Sequence, residues 1–132
     1  MTDAAPAPSV LIIDDERDTR ESLRIILEAA GYSVRTARDG GEGLKLQEAQ
    51  PADVVITDIF MPVVEGLETI QAVRSRFPRT KIIAVSGGGT AVRSISYLDS
   101  AGMAGADATL SKPVAPEELL ALLRSCLAGG RR

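Results

Sequence analysis

The chain has 132 residues, 45% of them hydrophobic and 25% charged, which suits one globular domain and leaves no room for a second of ordinary size. It has no His and a single Cys, Cys126, so an internal disulfide, the usual zinc, copper and haem ligand sets and any Ser-His or Cys-His nucleophile pair are excluded; only hard, oxygen-liganded metals remain. Lys and Arg number 15 against 18 Asp and Glu, a net charge of −3 that disfavours general nucleic-acid binding.

Residues 1–8 carry no basic stretch ahead of an apolar one, and the longest apolar run is Leu119 to Leu123. No signal peptide or membrane span is expected, and 1–8 reads as a flexible tail. Short β-branched apolar runs then recur, each followed by room for one helix: Val10 to Ile13, Ser33 to Thr36, Val54 to Thr57, Ile82 to Val85 and Ala108 to Leu110. Between the first two, Leu23, Ile26, Leu27 and Ala30 mark one helical face closed by Gly31. Asp39 with Glu42 forms a capping box for a second helix through Leu44 and Ala49, and Leu67, Ile70 and Val73 give a third that stops before Pro78. Val92, Ile95 and Leu98 give a fourth. The last helix opens on Pro116, carries Leu119, Leu122, Leu123 and Leu127, and ends at Gly129-Gly130, leaving 129–132 as a C-terminal tail. Because the first and third runs are apolar without alternation, as strands covered on both faces are, the economical fold is α/β: a five-stranded parallel sheet with helices on both faces.

Charge is uneven along this framework. Residues 1–66 hold 13 acids and 6 bases, residues 67–132 hold 5 acids and 9 bases; two ordinarily solvated surfaces are the plainest explanation.

Ligands of open parallel sheets bind beyond the carboxyl ends of the strands. Four of the five ends here are polar or charged: Asp14-Asp15-Glu16, Asp58, Ser86 and Lys112-Pro113. Singly each is ordinary, since an acid after a strand commonly caps a helix and a Lys before Pro is commonly a solvated loop charge. Together they place three carboxylates in one pocket, where mutual repulsion calls for a cation. Oxygen ligands and few of them suit Mg²⁺ that keeps several waters. Lys112 adds a second positive charge, Ser86 a hydroxyl, and Gly87 to Gly89 let backbone N–H groups approach closely. Such a set is shaped for a phosphoryl group, with Asp58 able to act as the nucleophile.

These residues resemble a known family, the receiver domains of two-component response regulators, of the single-domain kind found in chemotaxis regulators. The matching motifs are Val10-Leu-Ile-Ile-Asp-Asp-Glu16, Asp53-Val-Val-Ile-Thr-Asp58 followed by Met61-Pro62 and Gly66, Val85-Ser86, and Gly105-Ala-Asp-Ala-Thr-Leu-Ser-Lys-Pro113, and the likeness covers about residues 9–128. It implies strand order 2-1-3-4-5, with Asp58 as phosphoacceptor. Mg²⁺ would be held by Asp15, Asp58 and the backbone carbonyl of Phe60, and through water by Asp14. Ser86 would be the switch hydroxyl, Lys112 the phosphate-pairing lysine, and Lys112-Pro113 a cis peptide, which proline permits. The implied partners are a histidine kinase or histidine phosphotransfer protein and a downstream protein, in the cytoplasm, with no membrane or nucleic acid bound directly. No enzymatic activity beyond self-phosphorylation and autodephosphorylation is implied.

Two features depart from the family pattern. Thr109 stands three residues before Lys112, where an aromatic is usual, and 26 positions separate Ser86 from Lys112, a few more than is common. Tyr97 is a candidate substitute for the missing aromatic, although packing explains it as well. Three other classes share parts of this pattern. A phosphatase or phosphotransferase of the haloacid-dehalogenase kind needs a second Asp two residues after the nucleophile, where this chain has Phe60. A flavodoxin-like cofactor binder needs a phosphate loop where Asp14-Asp15-Glu16 would repel phosphate. A receiver fold used as a phosphorylation-independent binding module is the remaining alternative. With no output domain after Leu127, the chain is expected to be either a stand-alone receiver or a fragment.

Overall fold

The structure, a computed structural model, describes residues 7–59, 63–86 and 105–129, with the backbone alone at 63–65 and 129. Gly87 to Gly89, Tyr97, Phe60 and the helix expected through Val92 and Leu98 lie outside these residues. The elements in chain order are β1 (Ser9–Ile13), α1 (Arg17–Ala29), β2 (Ser33–Ala37), α2 (Gly40–Ala49), β3 (Val54–Asp58), α3 (Val63–Arg76), β4 (Lys81–Ser86), β5 (Ala108–Ser111) and α4 (Pro116–Gly129).

The strands form one sheet in the order β2-β1-β3-β4-β5, and every pairing is parallel. The unalternated apolar runs occupy its middle: Val10 to Ile13, Val54 to Ile56 and Ile82 to Val85 are all buried. The edge strands are more polar, with Arg35 and Thr36 half-buried in β2 and Thr109 and Ser111 exposed in β5. Successive side chains of a strand face opposite ways, so the middle strands supply two cores. Leu11, Ile13, Val55, Ile82 and Ala84 meet Ile70 and Val73 of α3 with Leu44 and Leu46 of α2. Val10, Ile12, Ile56, Ile83 and Val85 meet Leu23 and Leu27 of α1 with Leu119 and Leu123 of α4. Each such fully buried aliphatic side chain contributes roughly 1.5–3 kcal/mol.

Helix ends follow local chemistry. Gly31 stops α1 at φ +99, and the amides of Gly31 and Tyr32 return to the carbonyls of Glu28 and Leu27, a left-handed closure that glycine adopts without steric cost. At the start of α2 the Asp39 carboxylate accepts from Glu42 N at 2.8 Å, while the Glu42 carboxylate accepts from Arg38 N at 2.9 Å. The expected capping box therefore forms, with its return arm one residue earlier than the usual pattern. Pro116 opens α4, followed by Glu117 and Glu118 in the first turn, which favours the positive end of the helix dipole. Just before β1, the Pro8 carbonyl accepts from Ser33 N at 3.0 Å.

One buried polar cluster ties α2 to the sheet. Gln47 Nε2 donates to Thr80 Oγ1 (2.9 Å), Gln47 Oε1 accepts from Ala52 N (3.0 Å) and Thr80 Oγ1 donates to Ala52 O (2.9 Å). Every member has a partner, so burial costs little net free energy and the α2–β3 connection is fixed.

Candidate functional site

Asp14 directly follows β1, its amide bonded to Ala37 O at 3.1 Å, and Asp58 ends β3, the neighbouring strand. Adjacent strands thus bring acids 44 positions apart in the chain to one end of the sheet. Asp14 and Asp58 are buried, Asp15 is exposed, and one carboxylate oxygen from each lies within 4.8 Å of the others. Neither Asp14 nor Asp15 caps α1. The N-cap is Glu16, without a side-chain cap bond, and Asp14 Oδ1 instead accepts from Glu16 N at 2.8 Å.

Lys112 reaches the same point from the far side of β4. Its Nζ lies 2.9 Å from Asp58 Oδ2, 3.3 Å from Asp14 Oδ2 and 3.8 Å from Glu16 Oε1. A lysine before proline usually stands in solvent; this one has 22% of its side chain exposed, because two buried carboxylates hold it inward. The Lys112-Pro113 peptide is cis, as the resemblance implied. Lys112 N also donates to Ser86 O at 2.7 Å, which fixes the root of the side chain to the end of β4.

Protonation follows from this crowding. Burial, supported by the Asp58 charge, pushes the Asp14 carboxyl up to about 6 against the opposing Glu16 amide and Lys112 ammonium. For Lys112, burial lowers the proton affinity, but hydrogen bonds and charge from Asp58 and Asp14 outweigh it and hold the ammonium above its ordinary range.

Ser86 is fully buried at the end of β4, and its hydroxyl has no hydrogen-bond partner among the described residues; nor has that of Thr57, beside Asp58. Such orphaned buried hydroxyls are rare in folded proteins and commonly mark a functional group awaiting a ligand or water. The donor set fits a hard divalent cation: three converging carboxylates and no nitrogen or sulfur ligand within the cluster. Beside Lys112 a cavity of about 480 Å³ opens between α1 and the segment after β5, lined by Leu23, Ile26, Val85 and Val114 among others.

Of the residues singled out in the sequence, Asp14, Asp15, Asp58 and Lys112 are brought together and Ser86 ends the strand between Asp58 and Lys112; Phe60 lies outside the described residues. Sequence reasoning gave no role to four contributors, although Glu16, Thr57 and Gly66 fell within its motifs. Glu16 is a third carboxylate near Lys112, and Arg20 Nη1 donates to Asp14 O at 2.7 Å. Thr57 supplies the second orphaned hydroxyl. At Gly66 a Cβ would stand 2.7 Å from Ile59 Cα and 3.2 Å from Asp58 O, so only glycine lets α3 approach the end of β3 this closely. The signal for Arg20 was its place one turn after the cap of α1; for Gly66 it was the motif position after Asp58, which does not by itself reveal the close approach.

The fold and site define a class of protein, the doubly wound parallel α/β domain with three acids and a lysine gathered at the carboxyl end of its sheet. Within that class, this chain belongs to the response regulator receiver domain family, whose model matches residues 10–124. Receiver domains generally bind Mg²⁺ at the acidic pocket. The chain is 41% identical over 118 residues to the response regulator MprA of Mycolicibacterium vanbaalenii, covering 89% of this chain and 49% of that protein; for MprA of Mycobacterium avium the identity is 39%, with 89% and 50% covered. The chain thus spans about half the length of these curated relatives. Among solved structures it is similar to a CheY-like response regulator receiver domain protein of Methanospirillum hungatei, 34% identical with a TM-score of 0.82 over 92% of this chain and 94% of that one. Chemotaxis response regulator CheY4 of Vibrio cholerae is 35% identical, with a TM-score of 0.78 over 92% and 99%. Among the described residues no helix is long and apolar enough to cross a membrane.

Proposed function

We propose that this chain is a signalling receiver that accepts a phosphoryl group onto Asp58 from a histidine kinase or histidine phosphotransfer protein, in the cytoplasm, and thereby changes its affinity for a downstream protein. The observation that carries this reading is the convergence of Asp14, Asp15 and Asp58 within 4.8 Å, bridged by Lys112. An Asp58 carboxylate oxygen attacks the phosphorus of the donor phosphohistidine; the new P–O bond forms as the P–N bond breaks, and the imidazole keeps the bonding electron pair and takes up a proton from water. Asp14, Asp15 and Asp58 would hold Mg²⁺, which would supply the positive charge that lets a dianionic donor approach the carboxylates.

Lys112 is already at Asp58 Oδ2, within reach of phosphoryl oxygens added there, and Ser86 offers the hydroxyl that no other described group occupies. The only turnover assigned to the chain is gain and loss of its own phosphoryl group, and no other substrate is assigned.

The test is incubation with a small phosphodonor, with and without Mg²⁺, and location of the added mass. Labelling of Asp58 that requires Mg²⁺ and disappears in Asp58→Asn is expected; phosphate on Ser86 instead would overturn the assignment. The exposure of Thr109 on the edge strand, where the family carries an aromatic, favours a second reading, a phosphorylation-independent binding module. Complete absence of labelling with Mg²⁺ bound would select it.

A further inference from the structure

We propose that Arg20 is a positioning residue for the cation site, and the proposal rests on reading the acidic pocket as a Mg²⁺ site. Arg20 Nη1 donates to the carbonyl of Asp14 at 2.7 Å. That carbonyl belongs to the peptide joining Asp14 to Asp15, so holding its plane sets the directions in which the two carboxylates leave the backbone. The rest of the turn is equally determined. Asp14 N bonds Ala37 O at 3.1 Å, Asp14 Oδ1 accepts from Glu16 N at 2.8 Å, and Arg20 N closes the first turn of α1 on Glu16 O at 3.0 Å. Arg20 supplies the one contact to the Asp14–Asp15 peptide that comes from a side chain among the described residues.

The choice of partner carries the inference. Asp14, Asp15, Glu16, Asp18 and Glu21 all lie within six positions of Arg20, yet among the described residues Arg20 forms no ion pair, whereas Arg24 on the same helix pairs with Glu21 and Glu28. A guanidinium beside a cation site repels the cation it would help to bind. Its placement there is accounted for by geometry: it leaves the carboxylates to the metal and fixes the backbone between them. Groups that orient metal ligands in this way are commonly worth 10- to 100-fold in affinity.

Electrostatics and positioning predict opposite signs, and Mg²⁺ titration calorimetry on the whole chain separates them. Removing a nearby positive charge would by itself tighten binding roughly a few-fold. Loss of positioning weakens it, so Arg20→Gln is expected to bind Mg²⁺ about tenfold more weakly while its unfolding midpoint in chelator stays close to that of the parent. The Mg²⁺ concentration that half-saturates labelling of Asp58 is expected to rise by the same factor. Equal or tighter Mg²⁺ binding by Arg20→Gln overturns the proposal. If that variant does not fold, Arg20→Met, which keeps the aliphatic stem without the donors, is held to the same outcomes. Failure of the parent itself to bind Mg²⁺ would overturn the metal reading as a whole; parental binding with an unaffected Arg20 variant overturns this inference alone.

Discussion

Lys112 neutralises two buried carboxylates at once, and its removal tests what those contacts contribute. With Mg²⁺ chelated, Lys112→Ala leaves Asp14 and Asp58 facing one another in a covered site, and a loss of about 2 kcal/mol is expected in denaturant unfolding. Added Mg²⁺ is expected to recover much of it. Asp14 gives a pH signature of its own. Its folded-state pKa is raised to about 6 from 3.8, so its stabilising contribution is fully present below the unfolded value and is lost as pH rises through about 6. In chelator, Asp14→Asn is therefore expected to be more stable than the parent at pH 7, by up to roughly 2–3 kcal/mol, and the difference should vanish near pH 4. A variant that is less stable at pH 7 would show that the Lys112 contact outweighs the burial of the charge. The acids were readable in the sequence because each directly follows an apolar run. The inward pull on Lys112 and the contact of Arg20 were not, since both depend on which strand lies beside which.

At the scale of elements, two glycines set how closely helices approach the sheet. A Cβ at Gly43 of α2 would meet side chains, Ile13 at 2.4 Å from Cδ1 and 2.9 Å from Cγ1 and Ala37 at 3.8 Å from Cβ, whereas one at Gly66 of α3 would meet the Ile59 backbone. Ile13 can change rotamer; a main chain carrying Asp58 in the preceding position cannot yield without displacing that residue. Gly66→Ala is therefore expected to cost about 2–4 kcal/mol and to slow Asp58 labelling, while Gly43→Ala should stay within about 1 kcal/mol because the gain in helix propensity offsets the repacking. Equal unfolding midpoints for the two would contradict this. The strands of the sheet's middle were legible because burial on both faces leaves an unbroken β-branched run. Helix α2 was legible through Asp39 and Glu42, but its buried face was not: Gln47 reads as a solvated residue, and only the folded chain reveals Thr80 and Ala52 as its partners.

For the whole molecule, part of the uneven charge of the sequence becomes pairing between halves. Arg76 pairs with Glu48, and Lys112 with Asp14 and Asp58; in each case a base from the second half meets an acid from the first. One lysine does not balance the three acids of the cation site, so Mg²⁺ is expected to stabilise the fold by mass action. At 100 times its dissociation constant the gain is about 2.7 kcal/mol, a rise of roughly 10 °C in unfolding midpoint for a chain of this size, and Asp15→Asn should abolish it. The strand ends are also joined in a closed circuit. Lys112 Nζ holds Asp58, Ile59 N holds Val85 O, and Lys112 N holds Ser86 O, so side chain, backbone and hydrogen bonds return to their starting point across β3, β4 and β5. A ring of this kind cannot relax at one member without the others feeling it. Cutting it at the ammonium, with Lys112→Met, should speed amide exchange at Ile59, whose own partner is untouched. The lysine is in this sense a clasp as well as a charge, and whatever alters its grip on Asp58 is felt at the ends of three strands together.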